Sequence, residues 1–167
     1  ATKQGTLLTS MSQRIYRSTD GGNLWQEALV DFNFGAQNSF AVDSQGVLFA
    51  LQNSRLLSST DNGLTWVEQS RGFNFARAIS LNAVGHLFVE DGTSGTLRSI
   101  DRGKTWSTVL ASSNNAVHQN AAVNRLGYPY VLDNLGNIRR STDNGKSWTV
   151  EGNFQEDSFA KMRLDTA

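Results

Sequence analysis

Four copies of one nine-residue stretch constrain this chain more than any other feature. RSTDGGNLW (17–25), SSTDNGLTW (58–66), RSIDRGKTW (98–106) and RSTDNGKSW (140–148) all keep Ser-x-Asp-x-Gly-x-x-Trp. Their aspartates, Asp20, Asp61, Asp101 and Asp143, follow one another at steps of 41, 40 and 42 residues. A second marker keeps step with the first. Gly5, Gly46, Gly85 and Gly127 each open a short apolar run 15 or 16 residues before the next of these aspartates. One such pattern arises easily by chance; four in phase with a second marker do not. The chain is a tandem array, so its fold must be built by repeating one unit.

The unit is made of strands. Apolar runs are short, as in VLFAL (47–51), HLFVE (86–90) and PYVLD (129–133), and each is bounded by Gly, Asn, Asp or Ser. With 15 Gly, one Pro and no long segment of helical periodicity, the chain reads as buried strands joined by tight turns. The third unit divides into strand A (76–82), strand B (86–90), strand C (96–100) and strand D (105–110). Several short strands at a period near 40 predict an all-β fold, a β-propeller with one four-stranded antiparallel blade per repeat.

The repeated stretch then falls on the C–D hairpin. Its Asp is placed to accept hydrogen bonds from nearby backbone N–H groups and from the Ser hydroxyl. Its Gly supplies a left-handed residue. Its Trp opens strand D and turns a large apolar face to a neighbouring blade. The structural set is Ser18, Asp20, Gly22 and Trp25; Ser59, Asp61, Gly63 and Trp66; Ser99, Asp101, Gly103 and Trp106; and Ser141, Asp143, Gly145 and Trp148. A Ca²⁺ loop needs six or more oxygen ligands, several of them carboxylate, and each copy offers a single Asp.

This pattern resembles the Asp-box, or bacterial neuraminidase repeat, of sialidases, xyloglucanases, the sortilin receptor family and a photosystem II assembly factor family. The resemblance covers essentially the whole chain. It departs from the usual form at Leu24, where Thr or Ser is common, and at Ile100, a variable position. It implies a scaffold role for the repeated turn at the propeller's edge, away from the ligand centre, and an extracellular or periplasmic location.

The chain is expected to form a single domain over 1–167, with blades at 31–70, 71–111 and 112–152 and a first blade made of 1–30 plus 158–167. Residues 1–30 supply strands B, C and D of that blade, and SFAKMRLDTA (158–167) reads as its missing strand A. Four blades closed by the C-terminal strand would remove an open edge. A piece of a six- to eight-bladed ring and an eight-bladed ring of two copies are the alternatives to a closed monomer.

Composition narrows the partners. Fifteen basic residues balance fifteen acidic ones, which argues against nucleic acid, and no apolar run approaches the roughly 18 residues of a membrane span. Without Cys there is no disulfide and no thiolate chemistry. His86 and His118 share no metal-ligand spacing, and neither a metal nor a cofactor is expected.

In a four-stranded meander the A–B turns share one face with the C–D turns. The D–A and B–C connections share the other. The A–B turns are uniform, whereas the D–A set (31–39, 71–78, 111–120, 152–158) and the B–C set (10–14, 52–55, 90–95, 133–137) differ among repeats. Variable loops on a rigid scaffold are where binding sits. The candidate binding residues are Phe32, Asn33, Gln37, Asn74, Arg77, Asn115, His118 and Gln155, a mixture of aromatic and amide groups suited to a glycan or a protein loop. Phe34 and Phe75 stand at one register, which predicts inter-blade packing for both.

The expected function is a non-catalytic recognition module for a glycan or a protein partner. The alternatives are a sialidase-like glycoside hydrolase, or a propeller fragment of one, and an assembly scaffold. Glycoside hydrolysis would require a carboxylate pair, and Asp31, Glu90, Asp91, Asp133, Glu156 and Asp157 are the acids of the variable face. An exposed apolar surface there would favour a protein partner. A polar pocket floored by an aromatic ring would favour a sugar.

Overall fold

The computed structural model describes residues 5–11, 14–29, 40–52, 54–112 and 118–153. These residues form fifteen strands and no helix. β1 (Leu7–Met11), β2 (Arg14–Ser18) and β3 (Gln26–Leu29) make a three-stranded sheet. Three four-stranded sheets follow. They are β4 (Phe40–Val42), β5 (Leu48–Leu51), β6 (Arg55–Ser59) and β7 (Val67–Arg71); β8 (Ala78–Leu81), β9 (Leu87–Asp91), β10 (Gly95–Ser99) and β11 (Ser107–Leu110); and β12 (His118–Val123), β13 (Pro129–Asp133), β14 (Asn137–Arg140) and β15 (Thr149–Asn153). Every pairing is antiparallel and joins strands adjacent in sequence. The expected strands of the third repeat are recovered with ends shifted by one or two residues. The expected strand at 158–167 lies outside the described residues.

Burial explains why the B strands are continuous apolar runs while the D strands are polar. Each of the middle B strands, β5 and β9, is buried along its whole length, because other sheets cover both of its faces. The D strands lie at the outer rim, and β7 and β11 have no fully buried residue. The period-2 alternation of a strand sends successive side chains into different interfaces. Phe49 and Leu51 join Leu56 against Leu87 and Val89 of the third sheet, with Phe73, Ala76 and Ile79 completing the cluster. Ala50, between them, points the other way, into a cluster with Leu57 and with Ile15, Leu8 and Ala28 of the first sheet. Each such Leu or Phe contributes about 1.5–3 kcal/mol by leaving water.

The repeated turn is a closed hydrogen-bond network. In the third copy, Ser99 Oγ donates to Asp101 Oδ1 at 2.7 Å and accepts the Gly103 N–H at 2.8 Å. Asp101 Oδ1 accepts the N–H groups of Lys104 and Thr105, and Oδ2 accepts the Thr105 hydroxyl at 2.6 Å. The second and fourth copies repeat this with Thr65 and Ser147 as the hydroxyl donors. The first copy has Leu24 at that position, so Asp20 takes backbone N–H groups and the Ser18 hydroxyl only. The turn uses two consecutive left-handed residues, of which only the second is always Gly. The first is Gly21, Asn62, Arg102 or Asn144, at φ of 76°, 59°, 62° and 62°. That glycine is needed for space as well as for φ: a Cβ on Gly103 would meet Leu56 Cδ2 of the preceding sheet at 2.3 Å.

The turns also join one sheet to the next. Arg102 reaches back to Gln45 and Asp43 in the A–B turn of the second sheet, and Asn82 Nδ2 donates to Asn144 Oδ1 at 3.0 Å. Trp106 Nε1 donates to Ser70 Oγ of the preceding sheet, and Trp148 Nε1 to the Val109 carbonyl of the preceding sheet. Val109 is the extra residue of a β-bulge. All four C–D pairings skip one residue at the same place, the third after the Trp: Ala28, Gln69, Val109 and Glu151.

Candidate binding face

The D–A loop between the second and third sheets lies beside the B–C turns of both. It is tied down on both sides. The N–H groups of Gly72 and Phe73 donate to the Ser54 carbonyl in the B–C turn of the second sheet. Two residues later the Asn74 N–H donates to Asp91 Oδ2 at 2.6 Å, and the Asn74 carbonyl accepts the Gly92 N–H at 2.8 Å. Asp91 Oδ1 accepts the N–H groups of Thr93 and Ser94 and the Thr93 hydroxyl. One buried carboxylate therefore braces its own turn and pins a loop that arrives from the neighbouring sheet. Burial alone would raise the Asp91 pKa, but the Ser94, Asn74 and Thr93 donors outweigh it, so the pKa lies below the usual carboxylate range.

This bracing decides what the two phenylalanines of the FNF segment do. Phe73 is buried, 6 % exposed, and meets the Trp106 ring edge-on at 5.3 Å between centroids. Phe75 is 70 % exposed and sits at φ of +55°, a backbone conformation unfavourable for an aromatic L-residue. The backbone approaches Gly92 closely there; a Cβ on Gly92 would stand 2.9 Å from the Asn74 carbonyl oxygen and 3.1 Å from Phe75 Cβ. The expectation that Phe75 packs between blades is thus corrected. Phe73 fills the interface, and the left-handed residue at 75 turns the second ring out to solvent. Phe34 lies outside the described residues.

Of the other candidates, Asn74 is exposed and contributes its backbone to the Asp91 brace. Arg77 follows on the same loop, half-buried, with its N–H bonded to the Glu90 carbonyl at 2.8 Å. His118 opens β12, opposite Asp133. Phe32, Asn33, Gln37, Asn115 and Gln155 lie outside the described residues. Two further apolar side chains stand exposed on this face: Met11, 62 %, at the end of β1, and Leu135, 50 %, in the turn between β13 and β14.

The acids of this face that are described serve as braces. Asp133 Oδ1 accepts the N–H groups of Leu135 and Asn137, and both its oxygens accept the Asn137 side-chain amide. Glu90 is fully buried and takes the Thr96 hydroxyl on Oε2 at 2.9 Å. Asp31, Glu156 and Asp157 lie outside the described residues. On the opposite face, burial and then Arg98 hold the His86 pKa below its ordinary value.

The A–B turns carry a motif that sequence analysis missed. Asp43 Oδ1 accepts the N–H groups of Gln45 and Val47, and Asn124 Oδ1 accepts those of Leu126 and Tyr128. Asn82 Oδ1 accepts that of His86. Each of these residues lies three before the marker glycine, so the signal was present as Asp or Asn at a fixed offset from Gly46, Gly85 and Gly127.

No protein-family model matches this chain, and no curated protein matches it. Solved structures do. A catalytically inactive virginiamycin B lyase from Staphylococcus aureus with quinupristin superposes with a TM-score of 0.75 at 14 % identity, over 93 % of this chain and 55 % of that one. A chain of the nidogen/laminin complex gives 0.71 at 17 % identity, over 89 % of this chain and 62 % of that one. A GH74 enzyme from Niastella koreensis gives 0.59 at 24 % identity, over 83 % of this chain and 21 % of that one. These neighbours are β-propellers, and so is this chain. It spans about half the length of the lyase chain it matches.

Proposed function

We propose that the chain is a non-catalytic recognition module whose D–A and B–C face binds a protein partner. One observation carries this proposal: Phe75 is held out to solvent, at a strained backbone angle, by the brace between Asn74 and Asp91. A ring presented in this way is a preformed anchor, and it loses little conformational freedom on binding. Met11 and Leu135 add exposed apolar groups to the same face. Carboxylates that a hydrolase would use, Asp91 and Asp133, are engaged in bracing turns. The nidogen/laminin structure is a complex of proteins in which one chain has this fold, which is consistent with a protein partner here. A glycan is the second candidate ligand, because Asn74 and Thr93 are exposed on the two segments that the brace joins and offer polar groups to sugar hydroxyls.

The test is binding of the unmodified chain and of Phe75→Ala to peptide arrays and to arrays of neutral and sialylated glycans, side by side. Peptide binding that weakens about tenfold or more in Phe75→Ala, equivalent to about 1.4 kcal/mol, is the expected result. Saturable glycan binding lost in the same variant would make the sugar the ligand. Binding that is indifferent to Phe75 would remove this face from consideration, and glycan turnover would make the chain an enzyme.

A further inference from the structure

We propose that the junction between the third and fourth sheets is an acid-sensitive latch, in which protonation of His86 loosens the hold of Arg98 on the repeated turn of the fourth sheet. This is independent of what the loop face binds. It starts from two junctions that the repeat makes equivalent. The face that the second sheet turns to the third is apolar: Phe49, Leu51 and Leu56 are core residues, with Ala41 and Val47 packed on them. Register places Phe88, Glu90, Thr96, Ser80 and His86 at the same five positions on the face that the third sheet turns to the fourth. The fold therefore builds this junction without polar groups in one place and with four of them in the next.

Arg98 adds a cation to this face, where the second sheet has Ser58. It pairs with Phe88, and His86, one residue before β9, lies diagonally across from it. Diagonal neighbours on one face of a sheet are within reach of long side chains. Arg98 Nη1 donates to the Asn144 carbonyl of the fourth sheet at 2.6 Å, and Asn82 Nδ2 donates to Asn144 Oδ1. Asn82 also holds His86, accepting its N–H on Oδ1 and donating its own N–H to the His86 carbonyl. The latch is therefore Asn82, His86 and Arg98 on one side and Asn144 on the other. Three atoms of this face, Ser80 Oγ, His86 Nδ1 and Arg98 Nε, are buried without a hydrogen-bond partner among the described residues.

A neutral imidazole can leave Nδ1 as a bare lone pair, whereas an imidazolium carries N–H groups on both nitrogens. Protonation therefore creates a buried donor without an acceptor, and a second positive charge beside the Arg98 guanidinium. Among the described residues no carboxylate is at hand to balance it. Asp101 and Asp143 are engaged by their own turns, and Glu90 stands at the other end of β9. Arg102 reaches away to the second sheet. The fourth sheet brings Lys146, next but one to Asn144, and Arg125 and Tyr128 of the A–B turn that abuts Ala83. β12, packed along β8 and β9, carries only His118, at its far end. Burial and then Arg98 lower the His86 pKa, so the closed latch is favoured above the ordinary value of 6.5 and loses that support as pH falls below it.

Hydrogen exchange at the indoles reads the two junctions separately. Trp148 Nε1–H donates to the Val109 carbonyl across the third–fourth junction, and Trp106 Nε1–H to Ser70 Oγ across the second–third. Protection is taken relative to a free indole, which removes the ordinary effect of pH on exchange. That of Trp148 should fall by up to about tenfold between about pH 7.5 and about pH 5.5, while that of Trp106 holds. His86→Val, which copies Val47 of the second sheet, should remove the dependence. Should that variant fail to fold, the unmodified chain still decides, because NMR must show the His86 ring titrating below its ordinary value. Arg98→Ser, which copies Ser58, must then raise that titration. Trp148 protection that ignores pH, an equal loss at Trp106, a dependence that survives His86→Val, or a His86 ring that titrates at its ordinary value would each overturn the proposal.

Discussion

At the level of single residues, the repeated turn concentrates its chemistry in one carboxylate. The Thr65 hydroxyl and N–H bring the Asp61 pKa down to about 2, and the Thr105 hydroxyl and N–H do the same for Asp101. The Ser147 hydroxyl, its N–H and then Ser141 lower Asp143 as well. Asp20, with the Leu24 N–H as its chief donor and no hydroxyl there, is also lowered. Thr65→Val should therefore raise the Asp61 pKa toward its ordinary value while leaving Asp101 unmoved, as read by carboxyl NMR titration. Because the folded pKa values are depressed, these aspartates stabilise the fold above the unfolded value near 3.8. That contribution is lost as pH falls from about 4 toward 2, and acid unfolding should steepen across that window. Ser99→Ala removes a buried hydroxyl that serves three partners and should cost roughly 1–3 kcal/mol in urea unfolding. Gly103→Ala should cost at least as much, since it meets both a left-handed φ and a contact of 2.3 Å.

Elements show where sequence sufficed and where it did not. The turn between strands C and D was legible because every group it needs lies within nine residues and recurs four times. Strand order followed from the same period. The outward turn of Phe75 was not legible, because it depends on Asp91, which lies sixteen residues further on and belongs to the next B strand. The two rings of the FNF segment at 73–75 look alike in sequence, and the brace separates the buried Phe73 from the presented Phe75. Strain at Phe75 and its proposed function should therefore trade off. Phe75→Gly relieves a left-handed aromatic and should be neutral or stabilising by up to about 1 kcal/mol in thermal or urea unfolding, while abolishing binding. A loss of stability in that variant would show that the ring packs. Asp91→Ala should lower both stability and affinity, and the Asn74 and Gly92 amides should lose their protection against hydrogen exchange.

For the whole molecule, the junctions between sheets matter more than any one sheet. Three of them are present among the described residues, built from B-strand side chains, a seated Trp and a glycine that admits a neighbour's Leu or Phe. Leu56→Ala, at the junction between the second and third sheets, should therefore cost about 2–5 kcal/mol in urea unfolding.

The self-contained turn also bears on how fast such a molecule assembles. Sheets are slow to form when their strands are distant in sequence, but here every described strand pairs with its immediate neighbour, and each C–D hairpin is held by bonds spanning only a few residues. These hairpins are natural nuclei. Ser59→Ala should then retard refolding more than it accelerates unfolding in stopped-flow chevrons, while Leu56→Ala, which breaks a contact between sheets, should do the opposite. The repeat that shapes the rim would in that case set the tempo of folding as well.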